Sequence, residues 1–399
     1  MRSLINISFF VLVLFLLSCQ QEISSLQAER FIKFHGNSLL NEAKDIEMLE
    51  DGSYAICGID SVAGQGTRAF LLVLDDYGNL KPGFPKYYSD GIFSSGANAL
   101  VVKRGGTGGF LLVGYVDKPQ GDTIQKDLFL VRISLSGQEV WQKSFGSKED
   151  ESVLHATEMI AAGGFMLAGY QVQDGKTDIM VMGVTEEGDS IKLGLNYNNP
   201  FSDNAAANYI LNTGEQYLCV CTYDKAGTEG TDILILNFDD ELSPNDKILG
   251  GDFNEIGMCI VKDDEERYLI LGNRMNASGR SEIEIHLIET DGLLITKTFL
   301  LETISESETD LIAKRFVKME DGRIAIVGTI RSGGTSDIFL QFLNSEYQVA
   351  NRIIYGSTGN QTGVDIDIPD DGGLIMLGTN SYSEHSVVSL IRTGDTGDL

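Results

Sequence analysis

The sequence has one tryptophan, six prolines, four histidines and five cysteines in 399 residues, and 30 basic side chains against 58 acidic ones. The shortage of positive charge leaves a net −28. Such a surface repels nucleic acid and anionic lipid headgroups. It favours solubility on a crowded exterior, or attraction of cations and basic partners. The histidines, His35, His155, His286 and His385, share neither close spacing nor a repeat position, whereas a zinc site needs three or four converging ligands. Neither Gly-x-Ser-x-Gly nor His-Glu-x-x-His occurs. The glycine-rich stretch at 105–109 joins strand to strand without the following Lys-Ser/Thr of a phosphate loop. The acidic stretch Asp365–Gly372 lacks the spacing and final Glu of a calcium loop and reads as a structural turn.

Few prolines and 45 glycines suit many tight turns between strands. A hydrophobic content of 42% and a charged content of 22% are those of a folded globular protein. Length alone would suggest about two or three domains. A repeat overrides that. An apolar strand ending in Gly recurs at Gly58, Gly114, Gly169, Gly272, Gly328 and Gly378, with Cys221 in the fourth copy, at spacings of 50 to 56 residues. We name this strand b. A turn precedes it, and before the turn lies strand a, with Ala43, Ala97, Ala205, Gly257 or Gly363 near its start. Small residues suit a strand nearest a crowded axis.

Strand c follows, often after an acid: Asp127, Asp178, Asp232, Glu282 or Asp337. Five acids at equivalent positions read as turn-capping acceptors rather than catalysts. Strand d carries aromatic-x-Lys-x-aromatic-Gly, plainest at Trp141–Gly146, with Lys33, Lys86, Lys143, Lys247 and Lys297 in register. Its alternation predicts a half-buried strand, and lysine there discourages edge pairing.

The last copy supplies strands a, b and c but no d. Phe31–Gly36 matches Trp141–Gly146 position by position and precedes the first strand a. An open solenoid has no reason to split a repeat across its ends. A ring does. The expectation is therefore all-β: a seven-bladed β-propeller of four-stranded blades over residues 30–399, its last blade closed by an N-terminal strand. The unit resembles a family of secreted bacterial and archaeal repeat propellers reading Asp-Gly-Gly-Tyr…Gly, then Asp…Gly…Trp-x-Lys-x-Phe-Gly. That resemblance implies a fold and no particular activity. Quinoprotein propellers use a Trp in most blades, and kelch repeats place their Gly pair after strand b. Neither fits.

Met1–Ser18 has a positive start and an apolar run at Phe9–Leu17, too short for the ~20 residues that span a bilayer. It reads as a signal peptide. Leu16-Leu17-Ser18-Cys19 resembles the bacterial lipobox, with Leu17 where a small or β-branched residue is usual. The resemblance implies a diacylated (palmitate-type) Cys19 as lipidation site, a tether over 19–29, and membrane contact through the lipid alone. The alternative is an ordinary signal peptide with an incidental cysteine. Gln20 stands where enteric lipoproteins retained at the inner membrane carry Asp, which favours the outer membrane. Among Cys57, Cys219, Cys221 and Cys259, the middle pair lies on one strand with a Cα separation of about 6.7 Å, at the edge of disulfide geometry. Buried thiols are expected.

The b–c and d–a connections read as longer and more variable, on one face of the disc. Tyr115, Lys118, Lys126, Tyr170, Phe201, Tyr223, Lys225, Arg274, Arg280, Arg331 and Tyr382 are candidates there. The functional expectation is a non-enzymatic, monomeric, envelope-anchored binding or scaffolding module of unknown ligand. Its partner would be an envelope protein or a glycan, without nucleic acid, metal or cofactor and with no catalytic residues. The alternative is a glycan-type hydrolase or lyase using carboxylates at the channel mouth, with Glu42, Glu151, Asp203 and Asp310 as candidates.

Overall fold

A computed structural model describes residues 30–399 apart from 37–38, 92–93, 105–107, 122, 161–162, 198–203, 226–229, 240–243, 252, 290–293, 302–308 and the side chains of 191–197. Cys19, Phe201 and Asp203 lie outside the described residues. Those described form strands and turns, with no helix.

Seven antiparallel sheets of four strands make the blades, and six follow chain order a-b-c-d. The seventh joins Asn360–Asp367, Leu374–Tyr382 and His385–Thr393 to Phe31–His35. The register runs from Phe31 opposite Arg392 to His35 opposite Val388. The residues after strand c then rebuild a c–d turn. Gly394 N–H donates to Asp398 O and Gly397 N–H to Gly394 O, the pattern found at Asp75–Asn79 and Ser134–Gln138. An Arg30–Asp398 ion pair ties the strand to that turn. At the seam, Asn41 N–H donates to Ser386 Oγ at 2.9 Å, and Ala43 N–H to Thr379 Oγ1 at 3.0 Å.

Strands a are Asn41–Met48, Ser95–Lys103, Glu151–Glu158, Ala205–Asn212, Asn254–Lys262, Asp310–Lys318 and Asn360–Asp367. Each packs against the strands a of both neighbouring blades, the first against the last, so they line the axis. Strands b and c lie between neighbouring sheets, which explains their unbroken apolar runs. Between the first two blades, for example, Cys57, Leu71 and Val73 meet Leu100, Phe110 and Phe129. Each large side chain buried there contributes about 1.5–3 kcal/mol.

All seven strands a carry a β-bulge at one position: 43/45, 97/99, 153/155, 207/209, 257/259, 313/315 and 363/365. The marker residue of strand b stands opposite it, Gly58 against Ala43 and Gly114 against Ala97. A Cβ at Gly58, Gly114 or Gly169 would meet a strand-a carbonyl, so the marker glycine lets the two strands approach closely there, while the fourth blade forms the same bulge with Cys221 opposite Ala207. In the fourth blade the residue in register is Ala207, not Ala205.

Strand d clamps neighbours. The Trp141 ring covers Gly188 in the next blade's c–d turn, where a Cβ would lie 2.8 Å away, and its Nε1–H donates to Glu186 O at 2.8 Å. Phe31 covers Gly78 in the same way. Lys33 donates to Asn79 Oδ1 at 2.7 Å and Lys143 pairs with Asp189 at 2.8 Å.

The long b–c loops expected from sequence are mostly strand. Gly109–Gln120 and Thr123–Ile133 leave two residues between them, as do Gly164–Gln173 and Lys176–Thr185. Asp174-Gly175 and Gly333-Gly334 take positive φ at both positions, the mirror-image turn that matches strand twist. Tyr115, Lys118, Lys126, Tyr170, Tyr223, Arg274, Arg331 and Tyr382 therefore sit on strands; Lys225 and Arg280 sit in turns.

Candidate functional site

The bulge dictates what faces the axis. Its extra residues are Lys44, Asn98, Leu154, Asn208, Met258, Lys314 and Val364. Leu154, Asn208, Met258 and Lys314 line a recess of about 510 Å³ at the channel mouth, on the b–c and d–a face. Ile256, Met275 and Ile312 add apolar wall, and Arg274 and Arg315 add charge. A cavity of this size with few polar groups on an apolar wall is the usual form of a small-ligand site.

The recess floor is a plug. Tyr209 stacks on His155 with ring centroids 3.8 Å apart, and the Arg315 guanidinium lies 4.9 Å from the Tyr209 ring. Arg315 Nε is 3.8 Å from Asp365 Oδ1. Burial opposes the Arg315 charge most strongly, but Asp365, Cys259, Tyr209 and Asp45 together outweigh it and hold the guanidinium protonated. Burial, with Arg315 beside it, drives His155 well below the usual histidine range, so the ring is neutral.

In four of the seven blades the residue after the bulge links one blade to the next. Asp45 Oδ2 accepts from Leu100 N–H at 2.7 Å, His155 Nδ1 from Ile210 N–H at 3.4 Å, and Asp365 Oδ2 from Ile46 N–H at 3.4 Å. Cys259 accepts from Phe316 N–H. A buried backbone donor on the open side of an edge strand needs such a partner. These four side chains are thus inter-blade acceptors. Two bulged asparagines do the converse: Asn98 donates to Val153 O at 2.8 Å and Asn208 to Gly257 O at 2.7 Å.

Beyond the plug the channel turns acidic. Burial first, and then Asp365, with which it shares a hydrogen bond, raise Asp45 well above the usual carboxyl range. Two residues further on, Glu47 is pushed up to about 8 by burial and by Asp367, and Asp367 to about 6 by burial. The channel is therefore polar along its axis: lysine and arginine at the recess end, protonatable carboxyls at the other. Asp365 and Asp367 belong to a strand, and the turn proper is Pro369–Gly372.

Of the four carboxylates suggested by sequence, the three that are described, Glu42, Glu151 and Asp310, do not converge. Glu42 pairs with Lys44 at 2.5 Å in the first blade. Glu151 accepts from Ser147 N–H at 3.0 Å in the third and is raised by burial. Asp310 accepts from Ser281 N–H at 3.2 Å in the sixth. His286 Nδ1 bonds Thr298 Oγ1 at 2.9 Å, far out on its blade, and His385 starts a strand c. Among the described residues no group of three His, Cys, Asp or Glu side chains is arranged to hold a metal ion. Cys57, Cys219, Cys221 and Cys259 are free and buried. Of the acids before strand c, Asp127, Asp232 and Asp337 face the glycines that end strand d, Gly146, Gly250 and Gly356, where a Cβ would strike their carboxylates.

Sequence reasoning singled out Arg274 but missed Lys314, Arg315 and Met258. An adjacent Lys-Arg pair on a strand should place one side chain outward. The bulge puts both toward the axis, and its signal was the small residue just before, Ala313, opposite Gly328.

No family model and no curated protein matches this chain. Among solved structures it is similar to a protein of unknown function from Dyadobacter fermentans, with a TM-score of 0.51 and 12% identity over 90% of this chain and 99% of that one. An endo-arabinase from Bacteroides thetaiotaomicron gives a TM-score of 0.37 and 16% identity over 59% of this chain and 92% of that one. A puromycin-hydrolyzing peptidase from Mycobacterium tuberculosis gives 0.46 and 11% over 86% and 52%. At such identities the likeness concerns fold alone.

Proposed function

We propose that this chain is a non-enzymatic binding propeller of the cell envelope, anchored by a lipid on Cys19, that presents its channel mouth to a ligand. It would stand with the secreted repeat propellers its sequence unit resembles. The observation that carries the reading is directional. Phe31 is level with Arg392, so the chain enters the disc at the face of the a–b and c–d turns. The recess opens on the other face. A tether over 19–29 reaches at most about 40 Å when extended. An anchor there holds the entry face toward the bilayer and leaves the recess pointing away from it.

The test has two parts. Cys19→Ser should abolish palmitate labelling and release the protein from the membrane fraction. A photo-crosslinking residue at Ile256, exposed at the recess, should capture a discrete envelope protein or glycan, whereas one at Tyr77, in a c–d turn, should not. Capture from Tyr77 alone would place the working face on the wrong side.

A further inference from the structure

Lys314 is the unbalanced charge of the recess. Its amine makes no hydrogen bond or ion pair among the described residues. Its neighbours are mostly of the same sign: Arg315, Lys44 and Arg331, with Glu42 the opposing group. Arg274, on the same wall, pairs through Nη2 with Glu282 at 3.2 Å. Its Nε is buried and finds no acceptor among the described residues. The asparagine amides nearby are spent: Asn208 on Thr222 and Gly257, Asn273 on Ala313. Lys314 thus faces, without a partner among the described residues, a cavity walled by Leu154, Ile256, Met258 and Ile312, beside the Arg274 guanidinium, whose unsatisfied Nε–H is enclosed. A buried donor without an acceptor is costly, and Arg274 Nε is one, so the recess is unfinished as it stands.

We propose that the recess binds a small amphipathic carboxylate, with the carboxylate on Lys314 Nζ beside the Arg274 guanidinium and the apolar body against Leu154, Ile256, Met258 and Ile312. One free ammonium with a guanidinium beside it matches a single negative charge. A phosphate dianion would want more donors, and the apolar wall would leave its remaining oxygens unsatisfied. Burial among like charges also holds Lys314 below the usual lysine range, an imbalance that an incoming anion relieves. The acidic exterior repels anions at long range, so association should quicken as salt rises, opposite to ordinary electrostatic steering.

This inference rests on the channel-mouth reading and specifies its ligand. The probe is decanoate, titrated into the full chain by calorimetry at pH 7.5, with 1-decanol and inorganic phosphate as controls. Decanoate should bind saturably, at least about tenfold more tightly than decanol or phosphate, the ratio expected of one charge-assisted contact in a shielded site. Lys314→Met should erase the preference over decanol while keeping decanol binding, Lys314→Arg should retain it, and Arg274→Gln should reduce it. Decanol retention also shows that the variants keep the recess. Equal affinity for decanoate and decanol, phosphate binding as tightly as decanoate, or no saturable decanoate binding overturns the proposal. Those results leave the channel-mouth reading standing if Ile256 still captures a partner. Loss of that capture with decanoate binding intact would sink the envelope-partner reading instead.

Discussion

Asp45 in the first blade accepts a hydrogen bond from the Leu100 backbone N–H in the second, 2.7 Å from its Oδ2. His155 and Asp365 make the same link to Ile210 and Ile46. Strand a is the edge strand of its sheet, so that N–H has no strand partner on its far side, and the preceding blade supplies the acceptor. Asp45→Ala should therefore cost about 1–3 kcal/mol, the penalty of an orphaned buried donor. Asp45→Asn keeps an acceptor for Leu100 and a donor for Asp365 and should cost less than half as much. Chemical denaturation of the two variants checks this. Equal losses would mean that packing, not the bond, matters there.

The acidic end of the channel predicts a pH dependence with a definite sign. Asp45 is raised well above the ordinary range, Glu47 to about 8 and Asp367 to about 6, and Glu255, between the fourth and fifth blades, to about 7. A raised carboxyl holds its proton more tightly folded than unfolded. Its contribution is fully present below about pH 4 and is lost as pH rises through the folded value. Stability should thus fall between about pH 5 and 9, by on the order of 2 kcal/mol after allowance for partial solvent screening. Asp51, lowered to about 2 chiefly by its bond to Lys81, acts oppositely, but only in stronger acid. Glu47→Gln with Asp367→Asn should flatten the slope, read from melting temperatures across that range. A slope unchanged in the double variant would assign it elsewhere.

The fold was legible because its determinants repeat. Glycine at the end of strand b, aromatic-x-Lys on strand d and the match of Phe31–Gly36 to Trp141–Gly146 each state a local rule many times. Ring closure followed from one missing strand. The site was less legible, since it depends on what differs between blades. Lys314 and Arg315 are neighbours in sequence, and strand alternation would send them to opposite faces. Only the bulge after Ala313 turns both inward, and a bulge shows in sequence as no more than a small residue. The long-loop expectation failed for a related reason. Asp174-Gly175 and Gly333-Gly334 are two-residue hairpin signals, and the polar residues around them are the exposed ends of long strands.

The outer clamp gives a spectroscopic handle. Trp141, the single tryptophan, lies over Gly188 with its Nε1–H bonded to Glu186 O. Gly188 has a φ of +75°. Gly188→Ala adds a methyl 2.8 Å from the indole and strains the backbone, which together should cost about 1–3 kcal/mol. Trp141 emission should shift to the red as the ring is lifted into water. An unshifted spectrum with full stability would show that the turn yields freely.

Removing residues 30–36 tests the closure. Without Phe31–His35, the strand His385–Thr393 loses its ladder from Val388 to Arg392 and presents an open edge. That edge is rich in β-branched and apolar residues, and an exposed edge of this kind is a template for intermolecular pairing. The opened blade also loses Arg30 from Asp398 and Lys33 from Asn79, so the first and last blades are no longer joined at the rim. The shortened chain should associate as its concentration rises and unfold over a broader transition. Sedimentation and thermal melts read the two effects. Adding a synthetic peptide of residues 30–36 in excess should reverse both, because the pairing it restores is a complete strand whose turn, Gly394–Asp398, is already formed by the other side. A shortened chain that stays monomeric and melts as sharply as the full one would mean that the inner belt of Asp45, His155, Cys259 and Asp365 closes the ring unaided.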